Sequence, residues 1–492
     1  MKVLFIYPNE MMLNPPPVSI GILNAVLKDA GFEVALFDTT FYPTFSQTSD
    51  KAKETNLQVR PFDYGERGVS LKETDLFDDL QNKLEAFLPD LIAISILEPT
   101  FSQSLSLLDI IHDYNIPVVA GGVFPTFAPD RVLSHPAVDI VCIGEGEGPL
   151  LELCESMRND RDISQIKNLL IRRNSRIIRN RIRPVVDLDE LPLPNYDLFE
   201  TERFYRPMAG HVYRAIPVET NRGCPYQCSY CNSPSQSKLY LEHGAGNFFR
   251  KKSMARIEEE LRHLIPLYNA EYVYFTSDTF LSMTGREFEQ FIEMYSEFRL
   301  PFWVQTRPET ITKEKAIALK KIGCHRMSLG VEHGNYEFRK KVLKKNIPDR
   351  IIIEACDAIA ETGIPLTINN IIGFPGETRE LVFDTIKLNR RLKFDTSNAY
   401  AFSPFHGTPL HEVCLKNGLI SENRTVNNLT IDAALDMPDL SREEIEGLRK
   451  TFALYARLSK EFWPQIKVAE GNDEQARQAF EKLRKIYIET YF

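Results

Sequence analysis

Along the first 150 residues, short apolar runs alternate with stretches whose apolar positions recur every three to four residues. The runs at 2–7, 33–38, 90–96, 117–120 and 139–143 predict β-strands, and 18–30 predicts a helix that Gly31 stops. Strands alternating with helices predict a parallel, doubly wound sheet, whose ligands sit beyond the carboxyl ends of the strands. The loops there are PNEMMLNPPP after the first strand, residues 98–100 after the third, GGVFPT at 121–126 and GEGEG at 144–148.

From 155 to about 210 the pattern changes. IRRNSRIIRNRIRP alternates apolar and basic positions about Asn-Ser and Arg-Asn, which predicts a small hairpin, and LDELPLPNYDLF reads as an extended linker. From 213 the alternation resumes, with strands predicted at 215–219, 272–276, 302–305, 326–330, 365–371 and 397–402 and helical patterns such as 253–268 and 286–298 between them. Six strands joined by helices predict an open, partial version of the parallel α/β barrel. The residues from 422 onward are helical in pattern. The expected division is 1–155, a hairpin and linker at 156–210, a partial (β/α)6 barrel at 211–420 and a small helical region at 421–492.

Composition narrows the function classes. Against 59 basic residues stand 68 acidic ones, and a net charge of −9 argues against a long nucleic-acid-binding surface. No apolar run reaches the length of a membrane span, and MKVLFIYP is too short for a signal peptide's apolar core, so cytoplasmic residence is expected. Of the eight cysteines only Cys224, Cys228 and Cys231 cluster, which points to metal and not to a disulfide framework. Cys324 and Cys414 are expected to be buried thiols.

The cluster stands in Asn221-Arg-Gly-Cys-Pro-Tyr-Gln-Cys-Ser-Tyr-Cys-Asn232, directly after the first predicted barrel strand. Thiolates are the usual ligands of iron–sulfur clusters, and three on one loop can hold three irons of a cubane while leaving the fourth open. Structural zinc prefers four ligands, and only His243 stands near as a possible fourth. A cluster used for electron transfer alone is the other plain alternative.

Cys-x3-Cys-x2-Cys with an aromatic residue, Tyr230, before the last cysteine resembles the hallmark of the radical S-adenosylmethionine enzymes. The likeness continues along the barrel. FTSDTF at 275–280 resembles the family's acidic segment, with Ser277 in place of its first acid, and Arg307 in QTRPETI matches the arginine ending the third strand. LGVEHG at 329–334, NNIIGFPGET at 369–378 and FSPFHGTPL at 402–410 resemble the motifs of the fourth, fifth and sixth strands. The resemblance implies a 4Fe–4S cluster on the three cysteines. It also implies that Tyr230, Asp278, Arg307, Glu332, Gly373 and Pro375 surround S-adenosylmethionine, with Arg307 pairing a carboxylate. A structural ion pair in the barrel mouth is the plain reading of Glu332 and Arg307, and polar packing that of His406 and His411.

The first domain resembles the flavodoxin-like cobalamin-binding domain often fused ahead of this barrel. SIGILNAVLKDAGFEV, LIAIS, VVAGGVFPT and IVCIGEGE carry the likeness. It implies that Asn14, Ser95, Gly121, Gly122, Thr126, Gly144, Glu145 and Gly146 meet cobalamin. The Asp-x-His-x-x-Gly segment of cobalamin domains that replace the lower ligand with histidine is missing, since no histidine precedes His112, so no histidine from that loop is expected on cobalt. A flavodoxin-like domain kept for packing alone is the plain alternative.

Together these likenesses imply reductive cleavage of S-adenosylmethionine to a 5′-deoxyadenosyl radical, fed by a flavodoxin or ferredoxin. Methylation of an unactivated carbon of a small molecule through methylcobalamin is the leading expectation. Oxidative cyclisation or rearrangement without methyl transfer is the second, and RNA or protein modification of the methylthiotransferase kind is a third, of another class. No residue is assigned to catalysis.

Overall fold

The computed structural model describes residues 1–173, 176–426 and 433–492. Its first sheet is built from β1 (Lys2–Tyr7), β2 (Glu33–Asp38), β3 (Leu91–Ser95), β4 (Val118–Gly121), β5 (Ile140–Cys142), β6 (Leu169–Arg173) and β7 (Arg176–Arg179). The spatial order is β2-β1-β3-β4-β5-β6-β7, with β2 to β5 parallel to their neighbours and β6 and β7 antiparallel. In β1, Val3, Phe5 and Tyr7 enter one core and Leu4 and Ile6 another, so both faces are covered and the run reads as continuously apolar. The order 2-1-3-4-5 is that of flavodoxin-like sheets, whose ligands lie at the carboxyl ends near the reversal between β1 and β3.

Two expectations about 156–210 are corrected. The hairpin is not a separate piece: β6 pairs with β5 and extends the first sheet, although its Asn174-Ser175 turn lies outside the described residues. The linker is not a loose spacer either. Tyr196 is fully buried, its ring filling the space above Gly21 in the helix Val18–Asp29 and meeting Tyr268 and Phe204 on the other side. Leu188, Tyr196 and Phe199 supply apolar surface that a spacer in water would not carry.

The second sheet comprises β8 (Tyr205–Met208), β9 (His211–Val218), β12 (Tyr272–Phe275), β13 (Phe302–Thr306), β14 (Cys324–Glu332), β15 (Leu366–Ile372) and β16 (Thr396–Ala401). A small ladder of β10 (Asn221–Arg222) and β11 (Arg250–Lys251) stands apart. From β9 to β16 six strands run parallel with helices between them, as a partial barrel requires, and β8 is an antiparallel addition on β9. The sheet therefore has two edges, β8 and β16, with a seam between them.

A segment of the first domain crosses that seam. Gln58 Nε2 donates to the carbonyl of Ala399 in β16 at 3.2 Å, and Arg60 pairs with Asp395 at 2.7 Å just before β16. Arg67 Nε then donates to Val212 O in β9 at 3.0 Å and its guanidinium reaches Glu271. At the carboxyl end of the chain, the helices Arg442–Arg457, Trp463–Ala469 and Glu474–Tyr491 pack Leu448, Phe452, Phe480 and Leu483 with Ile372, Phe374 and Phe402. One core joins the domains, because Val3 and Phe5 belong to the same apolar cluster as Ile216 and Val218. No helix among the described residues is long and apolar enough to cross a membrane.

Candidate active site

At the carboxyl end of β9 the chain leaves the barrel as a loop that carries the three cysteines. Neighbouring strand ends hold it: Ser229 N donates to Leu343 O at 3.1 Å and Ser229 Oγ to Val342 O at 2.6 Å. On the far side Leu410 N donates to Ser229 O at 3.0 Å and Asn232 Nδ2 to His406 O at 2.7 Å. The loop is thereby pinned over the barrel mouth. Thr279 Oγ1 lies 3.5 Å from Cys224 Sγ, and Ser233 N donates to Cys231 Sγ at 3.5 Å. Burial pushes the Cys231 thiol up to about 12, so a metal's charge is needed to displace its proton. Among the described residues, no three His, Cys, Asp or Glu side chains converge closely enough to hold one metal ion. Three thiols carried on one loop suit three iron corners of a cubane, whereas structural zinc prefers four ligands. His243, the possible fourth zinc ligand, is exposed at the end of the helix Ser233–Glu242.

The residues expected around S-adenosylmethionine ring the same mouth, but several are already engaged. Asp278 accepts from Ser233 Oγ at 2.8 Å. Glu332 ends β14 at φ +68° and is paired with buried Lys345 at 3.0 Å. Tyr230 lies 6.0 Å, ring to ring, from Phe374. Its hydroxyl bonds Cys228, and burial foremost, with the Glu332 charge next, holds it well above the usual tyrosine range. Arg307 is held by its own neighbours. Its guanidinium pairs with Glu309 at 2.6 Å, stacks 3.7 Å over the Tyr226 ring and donates to Cys228 Sγ at 3.2 Å. Glu309, two residues on, is its carboxylate partner within the protein. Gly373 also departs from expectation: at φ +82°, the place a Cβ would occupy is filled by Ile445 of the C-terminal helix, so helix packing explains that glycine. Pro375 is buried in the same turn, which Glu377 holds by accepting from Gly373 N at 2.6 Å and Phe374 N at 2.9 Å. Glu377 also meets His333 at 3.0 Å, both fully buried. Neither Glu377 nor Lys345 carries a sequence signal beyond its place in a motif or after one.

At the carboxyl ends of β3, β4 and β5 lies a cavity of about 330 Å³. Ser95, Gly121, Gly122, Thr126, Gly144, Glu145 and Gly146 all line it. Thr126 Oγ1 accepts from Gly144 N at 3.0 Å and donates to Gly122 O at 2.8 Å, tying two of these loops together. Asn14 is the exception. It is buried elsewhere, donating to Tyr205 O at 2.8 Å, and serves as a tie between the first loop and β8.

The barrel supplies the cavity's other wall through Arg222, Leu239, Tyr240 and Phe248. The Tyr240 hydroxyl accepts from Glu145 N at 2.8 Å and occupies the space above Gly144. Arg222, two residues before Cys224, donates to both Glu145 and Glu147 at 2.7 Å, and Arg250 also bonds Glu145. Sequence reasoning missed this basic pair, whose partners lie some 75 to 105 residues away. A second junction joins Glu98 to His406, with Nδ1 to Oε1 at 2.9 Å, so that histidine packs against the first domain. Cys324 and Cys414 are buried.

A flavodoxin-like sheet with a cavity at its carboxyl ends, joined to a six-stranded partial barrel crowned by a three-cysteine loop, is the architecture of an enzyme built around bound cofactors. Residues 13–154 match the B12 binding domain and residues 218–388 the Radical SAM superfamily. The chain belongs to the radical S-adenosylmethionine enzymes that carry a B12-binding domain, whose cofactors are a 4Fe–4S cluster, S-adenosylmethionine and cobalamin.

An uncharacterized methyltransferase, PH0819, from Pyrococcus horikoshii is 29% identical over 391 residues, 78% of this chain and 82% of that protein. The anaerobic magnesium-protoporphyrin IX monomethyl ester cyclase of Rubrivivax gelatinosus is 24% identical over 425 residues, 82% of this chain and 68% of that one. In fold, the radical S-adenosylmethionine methyltransferase TsrM from Kitasatospora setae, solved with cobalamin and a 4Fe–4S cluster, covers 99% of both chains at a TM-score of 0.66 and 16% identity.

Proposed function

We propose that this protein is a cobalamin-dependent radical methyltransferase acting on an unactivated carbon of a small molecule. The observation that carries this reading is the cavity shared by the two domains, whose barrel wall includes Arg222 beside the cysteine loop. Cys224, Cys228 and Cys231 hold the cluster, and the cavity at Ser95, Gly121, Gly122 and Gly144–Gly146 receives cobalamin. Tyr230, Asp278 and Glu332 bound the S-adenosylmethionine site.

When bound, the cluster supplies the electron that breaks the carbon–sulfur bond of S-adenosylmethionine, and cobalamin carries the methyl group. The chain's own residues orient and shield. Arg307 keeps a positive charge on Cys228 Sγ, a hydrogen bond of the kind that tunes a cluster's potential. Lys345 donates to Glu332 and fixes that side chain inside the mouth. Tyr230 and Phe374 form an apolar wall that excludes water. Arg222, through Glu145 and Glu147, holds the two cofactor regions in one register.

The test is anaerobic reconstitution with iron, sulfide and hydroxocobalamin, followed by S-adenosylmethionine and dithionite. Retained cobalamin, 5′-deoxyadenosine and S-adenosylhomocysteine are expected, and alanine at any of the three cysteines abolishes 5′-deoxyadenosine. A second reading, oxidative cyclisation, is favoured by the cyclase relative. It predicts 5′-deoxyadenosine without S-adenosylhomocysteine.

A further inference from the structure

Inside the barrel lies a second cavity, of about 220 Å³, with a character opposite to the first. Its walls come from the inward faces of β12 to β16, from β8 and from the first-domain segment that crosses the seam. The size is below the roughly 300–1,000 Å³ of sites for drug-sized ligands, so it suits a small polar group. Lys53, Arg60, Arg206 and Arg326 line it, against one lining carboxylate, Asp50. Most of these charges are matched: Lys53 pairs with Asp50 at 3.5 Å, and Asp395, behind the wall, takes both Arg60 and Arg326 at 2.7 Å.

Arg206 is the exception. Its guanidinium lies 4.2 Å from the centre of the Tyr274 ring, which itself stacks on Trp303 at 4.4 Å and 8°. Nη2 donates to the Tyr274 hydroxyl at 3.2 Å, while Nε is buried without a partner; the charge of Asp50 reaches the group, but among the described residues no carboxylate forms an ion pair with it. A planar guanidinium fixed on an aromatic face, with donors to spare, is a preorganised anion receptor. Nearby, Asn398 donates to Asn369 Oδ1 and the Tyr400 hydroxyl, and its own Oδ1 is buried with no partner. Such an atom asks for an N–H or O–H donor.

We infer that this cavity recognises the anionic end, a carboxylate or a phosphate, of the small-molecule substrate, with Arg206 as the anion ligand and Asn398 Oδ1 accepting from a donor on the same molecule. Calling that molecule the substrate rests on the proposed radical chemistry; the binding itself does not. Ser328 on β14 and Asn369 on β15 lie four residues before Glu332, which ends β14, and Gly373, which follows β15, about 13 Å at 3.3 Å per residue. The substrate is therefore elongated, anchored low in the barrel and extending its reacting carbon toward the mouth.

Trp303 is one of only two tryptophans, so its emission in a Trp463→Phe background of the reconstituted enzyme reports the cavity. Inorganic phosphate, acetate and glycolate are titrated at constant ionic strength, with chloride as the control. A saturable response to phosphate or acetate is expected, weakened at least tenfold by Arg206→Gln and partly restored by Arg206→Lys. A response to phosphate alone assigns a phosphate ester, and one to acetate alone a carboxylate. Asn398→Ala is expected to weaken glycolate, which carries an O–H donor, and to spare acetate, a check that holds even if Arg206→Gln fails to fold. No saturable response to any of the three, or an undiminished one in folded Arg206→Gln, overturns the inference. Formation of 5′-deoxyadenosine by the wild-type enzyme is scored separately, so a failure of the radical reading and a failure of the anion site are told apart.

Discussion

Gly121 and Gly122 are neighbours on the cavity's rim, and replacing each by alanine separates folding from cofactor binding. Gly122 sits at φ +114° and ψ −176°, a region essentially restricted to glycine, where an alanine costs about 1–3 kcal/mol. Its Cβ would also stand 2.6 Å from Ile96 O and 3.1 Å from Ile96 N. Those are backbone atoms, and Ile96 N is already bound to Gly121 O at 2.8 Å, so relief requires opening the β3–β4 junction. Overlap of this kind adds about 1–3 kcal/mol, for a total of roughly 4 kcal/mol. Gly121 has an ordinary φ, and its Cβ would meet only Cys142 Cβ at 3.8 Å, pointing into the cavity. Gly121→Ala should therefore keep stability within about 0.5 kcal/mol while reducing cobalamin retention.

Thermal unfolding of the apoprotein, followed by circular dichroism, reads the first quantity, and cobalamin absorbance after gel filtration the second. At about 2–4 °C per kcal/mol for chains of 150–250 residues, and less for longer ones, Gly122→Ala should lower the melting temperature by roughly 5 °C or more. Equal melting temperatures for the two variants would refute the reading of Gly122. Full cobalamin retention by Gly121→Ala would refute the placement of cobalamin against that wall.

Tyr240→Phe strands the buried amide of Glu145, so a loss of about 1–3 kcal/mol and weaker cobalamin retention are expected by the same two assays. Arg307→Ala removes a charged donor from Cys228 Sγ and should make the cluster's potential more negative. A charged hydrogen bond of about 1.5 kcal/mol corresponds to on the order of 60 mV for one electron, read by a redox titration followed by electron paramagnetic resonance. Arg60→Ala frees the seam segment from Asp395 and Phe492 O, and faster proteolytic nicking within 50–67 is the expected result of a digestion time course.

Much of this was legible in the sequence for a physical reason. The six barrel strands carry apolar runs bounded by turn residues, and the cysteine loop follows the first of them because ligands gather at carboxyl ends. Seven of the eight residues expected around cobalamin line one cavity because strand-end loops of a doubly wound sheet converge. What was not legible depends on distant contacts. Asn14 shares its loop with a proline run, yet its partner is Tyr205, 191 residues away. Arg307 ends its strand as expected, but Glu309 captures it. Gly373 suggests room for a ligand until Ile445, 72 residues later, is seen in that space. Residues 50–67 are mostly polar, and nothing local tells that they complete a barrel.

That last segment bears on how such an enzyme can change. A wall of the barrel's inner chamber is encoded between two strands of the other domain, so exchanging first domains between relatives would also exchange part of the chamber. Evolution can then retune what the barrel holds by rewriting a surface excursion of its neighbour, with the strand motifs around the radical chemistry untouched. A barrel cut free of its partner would in turn lose one side of its container and leave Asp395 with Arg326 but without Arg60. The natural module here is the pair.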